Sequence, residues 1–174
     1  KIRKIKSGTK AFDWIVPPEW NVKEAYILDK FGNKIVDIKN NNLHLISYSK
    51  FTNIEIDRDT LFKKLHYLKK QPDAIPYLTS YYNRDWGFCV SYKFFKSLRK
   101  NYKKYDKFRI LINANHDKKG SLRYGELLIN NKNSQEILIS TYICHPSMAN
   151  NELSGPIARM ALIEYFQKVA KKLN

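Results

Sequence analysis

Cys144, His145, Ser147, Asn150, Asn151 and Glu152 crowd into one short stretch of the chain and bring together a thiol, an imidazole, a hydroxyl, two amides and a carboxylate. His145 leaves an apolar run at residues 137–143 and is followed by Pro146, which stiffens the backbone on its far side. A histidine so placed can offer a ring nitrogen to a metal ion. It can equally do no more than hydrogen-bond loop backbone, because zinc normally takes three or four protein ligands and one histidine is not a site. His44 falls in a strand-like run, His66 on a helix-like one and His116 in a turn, and none has a spacing that joins it to His145. These three read as structural or solvated. The chain carries no Gly-rich phosphate loop, no Cys-x-x-Cys pair and no His-Glu-x-x-His helix.

The elements around this stretch decide where it sits. Residues 136–143 are nearly continuous in β-branched and apolar side chains, the pattern of a strand buried on both faces. From about Ser154 to Lys172 the stripe Ala158, Ala161, Leu162, Tyr165, Phe166 and Val169 predicts a helix. Pro156 suits its first turn, and Lys168, Lys171 and Lys172 suit its negative end. Residues 144–153 then form a loop at the carboxyl end of a strand, where α/β sheets usually carry their chemistry.

Upstream, residues 1–6 read as a strand, and residues 25–28 and 34–38 as a hairpin around Gly32. Residues 43–48 read as a further strand. Asp57 or Asp59 caps a helix bearing Leu61, Phe62, Leu65 and Leu68 and stopped by Pro72. Residues 75–82 and 86–92 are apolar-aromatic runs, and residues 94–105 are a short helix or a basic loop. Residues 108–113 and 122–130 flank the turn at 117–120 as a second hairpin.

With 174 residues, 43% of them hydrophobic and 14% aromatic, the chain has the material for a core, so disorder is excluded as its main state. The net charge of +16 raises the prospect of an anionic partner, yet the lysines are spread along the whole length. No specific nucleic-acid partner is expected, and strong salt dependence would distinguish one. The apolar runs are too short to span a bilayer, and no leader pattern is visible, so a cytoplasmic protein without membrane contact is expected. Cys89 and Cys144 both lie in apolar runs, where a thiol usually acts as a small buried hydrophobe. Tyr77, Tyr81, Tyr82, Arg84 and Trp86 could line a substrate cleft or form an ordinary core strand pair.

Beyond chemistry alone, several separated motifs carry a resemblance. Ser7, Gly8 and Thr9; Phe12, Asp13 and Trp14; Pro18, Glu19, Trp20 and Asn21; residues 71–76; Trp86, Gly87, Phe88 and Cys89; and residues 144–155 together resemble an uncharacterised bacterial family of aminopeptidase-like proteins. The last stretch is similar to the strand-to-helix corner of co-catalytic zinc aminopeptidases. The resemblance implies an α/β fold: part of a zinc-aminopeptidase-like mixed sheet with helices, interrupted by a smaller β-rich insertion. Residues 1–16 and 106–174 would belong to the peptidase-like part and residues 17–105, with one helix, to the insertion. It also implies that the chain is the N-terminal part of a longer protein.

Residue by residue, the resemblance makes His145 the first zinc ligand. Asn151 falls where such enzymes place the carboxylate that bridges two metals, and a neutral amide is a weak ligand there. Ser147 stands where an orienting Asp is usual, and its hydroxyl cannot raise ligand basicity as a carboxylate does. Asn150 accompanies them in the loop. Glu152 is adjacent to Asn151, and neighbours in a loop usually point apart, so it is not expected to substitute. The implied cofactor is therefore zinc, with at most one ion held tightly. The implied substrate is a peptide or small amide, and a homo-oligomer is an open possibility. The rival reading is a binding or scaffold module that keeps the fold after losing the second metal.

Overall fold

The computed structural model describes residues 1–129, 136–145 and 147–173. Pro146, Asn130 at the end of the second expected hairpin, and the side chains of Lys171 and Lys172 lie outside the described residues. In chain order the strands are β1 (Ile2–Lys6), β2 (Lys10–Ala11), β3 (Trp14–Ile15), β4 (Glu19–Leu28), β5 (Lys34–Asp37) and β6 (Thr52–Asp57). Helix α1 (Arg58–Phe62), β7 (Leu65–His66), β8 (Phe88–Cys89), α2 (Tyr92–Asn101), β9 (Lys107–Asp117), β10 (Ser121–Gly125) and α3 (Ala149–Leu173) follow. Helices and strands are mixed, and the chain divides into two compact units. Residues 4–123 form a middle unit, and residues 1–3 with 124–174 form an outer one.

The middle unit is built on a four-stranded antiparallel sheet in the order β5-β4-β9-β6. Strand β9 alternates cleanly: Phe108, Ile110, Ile112 and Ala114 are buried, and the residues between them are more exposed. That period of two turns every second side chain to one face. In β4 the buried Ala25 and Ile27 stand opposite Ile112 and Ile110. Helix α2 starts where the Ser91 side chain accepts the Phe94 amide, and it adds Phe95 and Leu98 to a core that also holds Phe88, Val90, Leu61, Leu65 and Trp86.

The first hairpin forms as expected, with Gly32 at φ 84 in its turn, a conformation that suits glycine. Asp29 organises that turn: its carboxylate accepts the amides of Phe31 and Asn33 and the hydroxyl of Tyr102.

Several expectations are corrected in this unit. The helix capped by Asp57 ends at Phe62 and does not run on to Pro72. Leu65 and His66 instead pair in parallel with Phe88 and Cys89, and the long-range bonds Phe88 N–H to Lys64 O and Val90 N–H to His66 O outweigh the helical spacing. Residues 43–48 are not a strand: a short 3₁₀ turn occupies Asn42–His44, and single bridges follow at Leu45 and Ser47. The turn at 117–120 forms, but its flanking strands do not pair with each other. Strand β9 is held on both sides by β4 and β6, and β10 pairs with β1. The compact units part near residues 3 and 123.

The outer unit consists chiefly of α3 and the segment 136–145. Among the described residues that segment makes no strand ladder, and Ile137, Leu138 and Ile143 are 84%, 91% and 82% exposed. The expected strand buried on both faces is thus absent, because an apolar run becomes a strand only where neighbours complete its hydrogen bonds. Helix α3 begins five residues earlier than the stripe suggested, so Asn150 and Asn151 lie in its first turn and not in a loop. Pro156 is therefore inside the helix, where it has no amide for the Glu152 carbonyl. The expected stripe is only partly covered: Phe166 and Val169 are half-buried, while Ala158, Ala161, Leu162 and Tyr165 are exposed. Gly155 brings α3 close to Thr141, since a Cβ built there would overlap the Thr141 hydroxyl.

Candidate functional site

The outer unit assembles its chemistry where residues 144 and 145 meet the first turn of α3. Ser147 makes the corner between them with φ 58, a left-handed conformation uncommon outside glycine. The helix is entered through the Glu152 amide, which donates to Met148 O at 3.2 Å. One helical step separates Asn151 from Glu152, and it sends them to different partners. Asn151 is exposed, and its Oδ1 accepts the Tyr142 hydroxyl at 3.2 Å. Glu152 turns inward and is only 6% exposed.

Glu152 binds the end of the segment 136–145 with both oxygens. Its Oε2 accepts the Cys144 amide at 2.7 Å, and its Oε1 lies 2.6 Å from His145 Nδ1. The Cys144 amide holds this carboxyl below the usual glutamate range against the opposing effect of burial, and the His145 contact adds to the lowering. An ionised carboxylate only accepts, so Nδ1 carries the proton and donates. The position at the start of α3 also suits a negative charge.

Cys144 is exposed, which corrects its reading as a buried hydrophobe; Cys89 is buried as expected. The Cys144 thiol donates to Glu152 Oε1 over 3.6 Å and lies 3.3 and 3.5 Å from the two ring nitrogens of His145. Burial first, then the Glu152 charge and hydrogen bond, push this thiol up from its ordinary value. The metal-capable atoms of Cys144, His145 and Glu152 all lie within 4.8 Å of one another, the one such group among the described residues.

The sequence-derived candidates therefore separate. His145 and Glu152 come together, whereas Asn151 turns to Tyr142; Asn150 is exposed in the first helical turn and Ser147 shapes the corner. Cys144 was missed as a potential donor, although its adjacency to His145 was the available signal. The remaining histidines have local roles or none toward a metal. His44 Nδ1 contacts Cys89 O at 2.8 Å, His116 Nε2 contacts Tyr48 O at 3.1 Å, and burial lowers His66.

In the middle unit the aromatic cluster divides. Trp86 joins the core, while Tyr81 and Tyr82 are exposed and meet edge to face at 4.3 Å beside Tyr48. Among the described residues no helix is long and apolar enough to cross a membrane.

Comparison with known proteins gives these observations their family. Residues 19–115 match the model of a domain of unknown function, DUF2172. A Clostridium acetobutylicum protein, provisionally named as a polysaccharide biosynthesis protein with an aminopeptidase-like domain, is 43% identical over 174 residues, all of this chain and 38% of its own. A crystal structure from Clostridium acetobutylicum, described as a candidate peptidase, superposes with a TM-score of 0.83 at 42% identity, over 99% of this chain and 38% of that one. The chain thus spans under two fifths of the relatives it matches. It belongs to the DUF2172 family, and the relative that it matches over its whole length is named for an aminopeptidase-like domain.

Proposed function

We propose that the chain contributes the histidine corner of a zinc-dependent aminopeptidase-like hydrolase acting on a peptide or small amide bond. The observation that carries this reading is His145, held by a carboxylate at the mouth of a helix in a chain whose relatives are aminopeptidase-like. The donors suit the ion, since imidazole nitrogen, thiol sulfur and carboxylate oxygen are the three ligand types zinc accepts. When bound, zinc supplies Lewis acidity toward a carbonyl oxygen. In this reading the outer unit belongs to the peptidase-like sheet, the middle unit is the insertion, and residues outside this chain complete the ligand set.

Asn151 limits the site. Two zinc ions about 3.5 to 4 Å apart need a negative ligand between them, and an amide carries no charge. Its Oδ1 is moreover engaged by Tyr142. That observation also supports the second reading, a non-catalytic module that keeps the peptidase fold.

Elemental analysis of the dialysed full-length natural protein tests both. We expect no more than one zinc per chain, its loss in His145→Ala, and a gain in Asn151→Asp. Two ions in the wild type, or unchanged metal in His145→Ala, would overturn the assignment. Amidase activity in the wild type decides for the enzyme over the module.

A further inference from the structure

Among the described residues, three of the four non-glycine residues with positive φ are aromatic: Phe12 at 55, Tyr48 at 65 and Tyr81 at 41, with Ser147 the fourth. A bulky side chain is strained in that conformation, and strain of this kind gathers where a surface serves a ligand. All three aromatics belong to the middle unit, on stretches of chain that are bonded together. Segments 46–50 and 78–85 are laced by Ser47 N–H to Leu78 O, Ser80 N–H to Ser47 O and Lys50 N–H to Asp85 O, at 2.9, 2.9 and 3.0 Å. The Tyr82 hydroxyl donates to Ile15 O at 3.2 Å and so ties in the β2–β3 hairpin, whose turn carries Phe12.

We propose that this surface, Phe12, Tyr81 and Tyr82 with Lys50 and Arg84, binds an acidic saccharide. Sugar rings lie on the aromatic faces, and carboxylates of the sugar meet the two cations. The proposal is independent of the metal reading above.

The rings are fixed before any ligand arrives. Tyr48 stacks on Trp20 at 5.8 Å and 14° and meets Tyr81 at 5.3 Å. Its carbonyl contacts His116 Nε2 at 3.1 Å, and the next carbonyl, of Ser49, accepts the Trp20 indole N–H at 2.9 Å. Tyr48 is thereby the support, and Tyr81 and Tyr82, crossing at 79°, stand on it. Phe12 is 97% exposed and Tyr82 59%. A preformed aromatic surface binds with little loss of side-chain freedom.

Charge selects the ligand class. Asp85 is the one acidic side chain on the two laced segments, and Lys64 takes it at 2.6 Å. Arg84 is exposed and makes no ion pair among the described residues, and Lys50 is exposed too. On the hairpin, Lys10 and Asp13 offset each other. The surface is therefore aromatic and net positive. A pyranose ring has a face of C–H bonds and a rim of hydroxyls, so it lies flat on an aromatic ring and hydrogen-bonds at its edge. A uronate adds a carboxylate, which a guanidinium takes with two parallel bonds. A nucleic-acid strand also stacks on aromatics, but it needs a track of cations along its phosphates, and the two segments supply only Lys50 and Arg84.

Calorimetric titration of the full-length natural protein tests this, with oligogalacturonate, hyaluronan fragments and sialyllactose as acidic probes. Neutral maltooligosaccharide and oligothymidylate are the comparisons. At least one acidic saccharide should bind, and more tightly than either comparison. Tyr82→Ala should weaken it about 10- to 30-fold and Arg84→Gln about tenfold, the sizes usual for an aromatic and an arginine at the centre of an interface. Tyr82→Phe keeps the ring and should stay within about threefold. Because Arg84 makes no ion pair in the structure, a loss on Arg84→Gln reports the ligand and not the fold. Lys100→Gln, on the exposed side of α2, should stay within about twofold.

Failure of every acidic probe to bind overturns the proposal, as does a neutral saccharide or an oligothymidylate that binds as tightly. It is overturned too if Tyr82→Ala or Arg84→Gln binds like the wild type, or if Tyr82→Phe loses as much as Tyr82→Ala. A loss in Lys100→Gln equal to that in Arg84→Gln has the same effect, since the attraction would then belong to the general positive charge of the chain.

Discussion

Adding one methyl group at Gly155 should loosen the hold of Glu152 on His145. A Cβ there would overlap Thr141 Oγ1, roughly 1 Å inside ordinary contact, and would stand 3.3 Å from Thr141 Cβ. In an unencumbered helix Gly→Ala stabilises by about 1 kcal/mol. Overpacking costs about 1 to 3 kcal/mol, so here the expected net change is roughly 0 to 2 kcal/mol of destabilisation. The strain falls between α3 and the segment 136–145, the two pieces that Glu152 ties together. A displacement of 1 Å would stretch the 2.6 Å contact past hydrogen-bonding range.

The Cys144 amide, which donates to Glu152, reports this locally through hydrogen exchange. Gly155→Ala should speed its exchange by up to about 30-fold, the equivalent of 2 kcal/mol. Thr141→Ala in the same chain removes the clashing hydroxyl and should restore slow exchange, with a coupling of at least about 1 kcal/mol between the two sites. If Gly155→Ala slows exchange, or if the two substitutions are additive within about 0.3 kcal/mol, the close approach of helix and segment is wrong.

Three further outcomes are expected. Phe108→Ala removes a fully buried ring that packs edge to face on Tyr102 at 5.0 Å, and should cost about 3 to 5 kcal/mol in urea unfolding of the middle unit. Burial alone would raise Asp29 and Asp37, but hydrogen bonds, from the Asn33 amide and Tyr102 to the first and from the Lys39 amide and Lys34 to the second, win and lower both. A lowered native value means that their stabilisation is complete above the unfolded value of about 3.9 and is lost as pH falls through the native one; acid titration of stability with Asp29→Asn as control checks this sign. Iodoacetamide followed by mass spectrometry should label the exposed Cys144 and spare Cys89, which burial pushes up to about 12.

What could be read from the residues was local. The hairpin around Gly32 and the capping by Asp57 both follow from neighbouring side chains. The direction of Glu152 did not. Adjacent residues point apart in extended or looped chain, but Asn151 and Glu152 stand in a helical turn, about 100° apart, where one can face out and the other in. The misjudged start of α3 had the same root, since Pro156 is favoured in a first turn and gave no sign of the turns before it. Leu65 kept a helical spacing while its backbone was claimed by Phe88, a partner too distant in sequence for any local rule to see. Strand β6 was overlooked although Thr52, Ile54 and Ile56 alternate with Asn53, Glu55 and Asp57, the ordinary mark of a strand.

The order of the middle sheet bears on how the chain is made. Strand β9 lies between β4 and β6 yet is the last of the four to be synthesised. Until Lys107–Asp117 has left the ribosome, β4 has only β5 as a neighbour and β6 has none of its sheet partners. At roughly 5 to 20 residues per second, the 49 residues between Asp57 and Lys107 leave β6 without its ladder for several seconds. Closure then joins residues far apart in sequence, the slow kind of pairing. A nascent chain halted before β9 would present unpaired strand edges and is the natural client of a chaperone, whereas a few more residues of synthesis let the sheet close in one step.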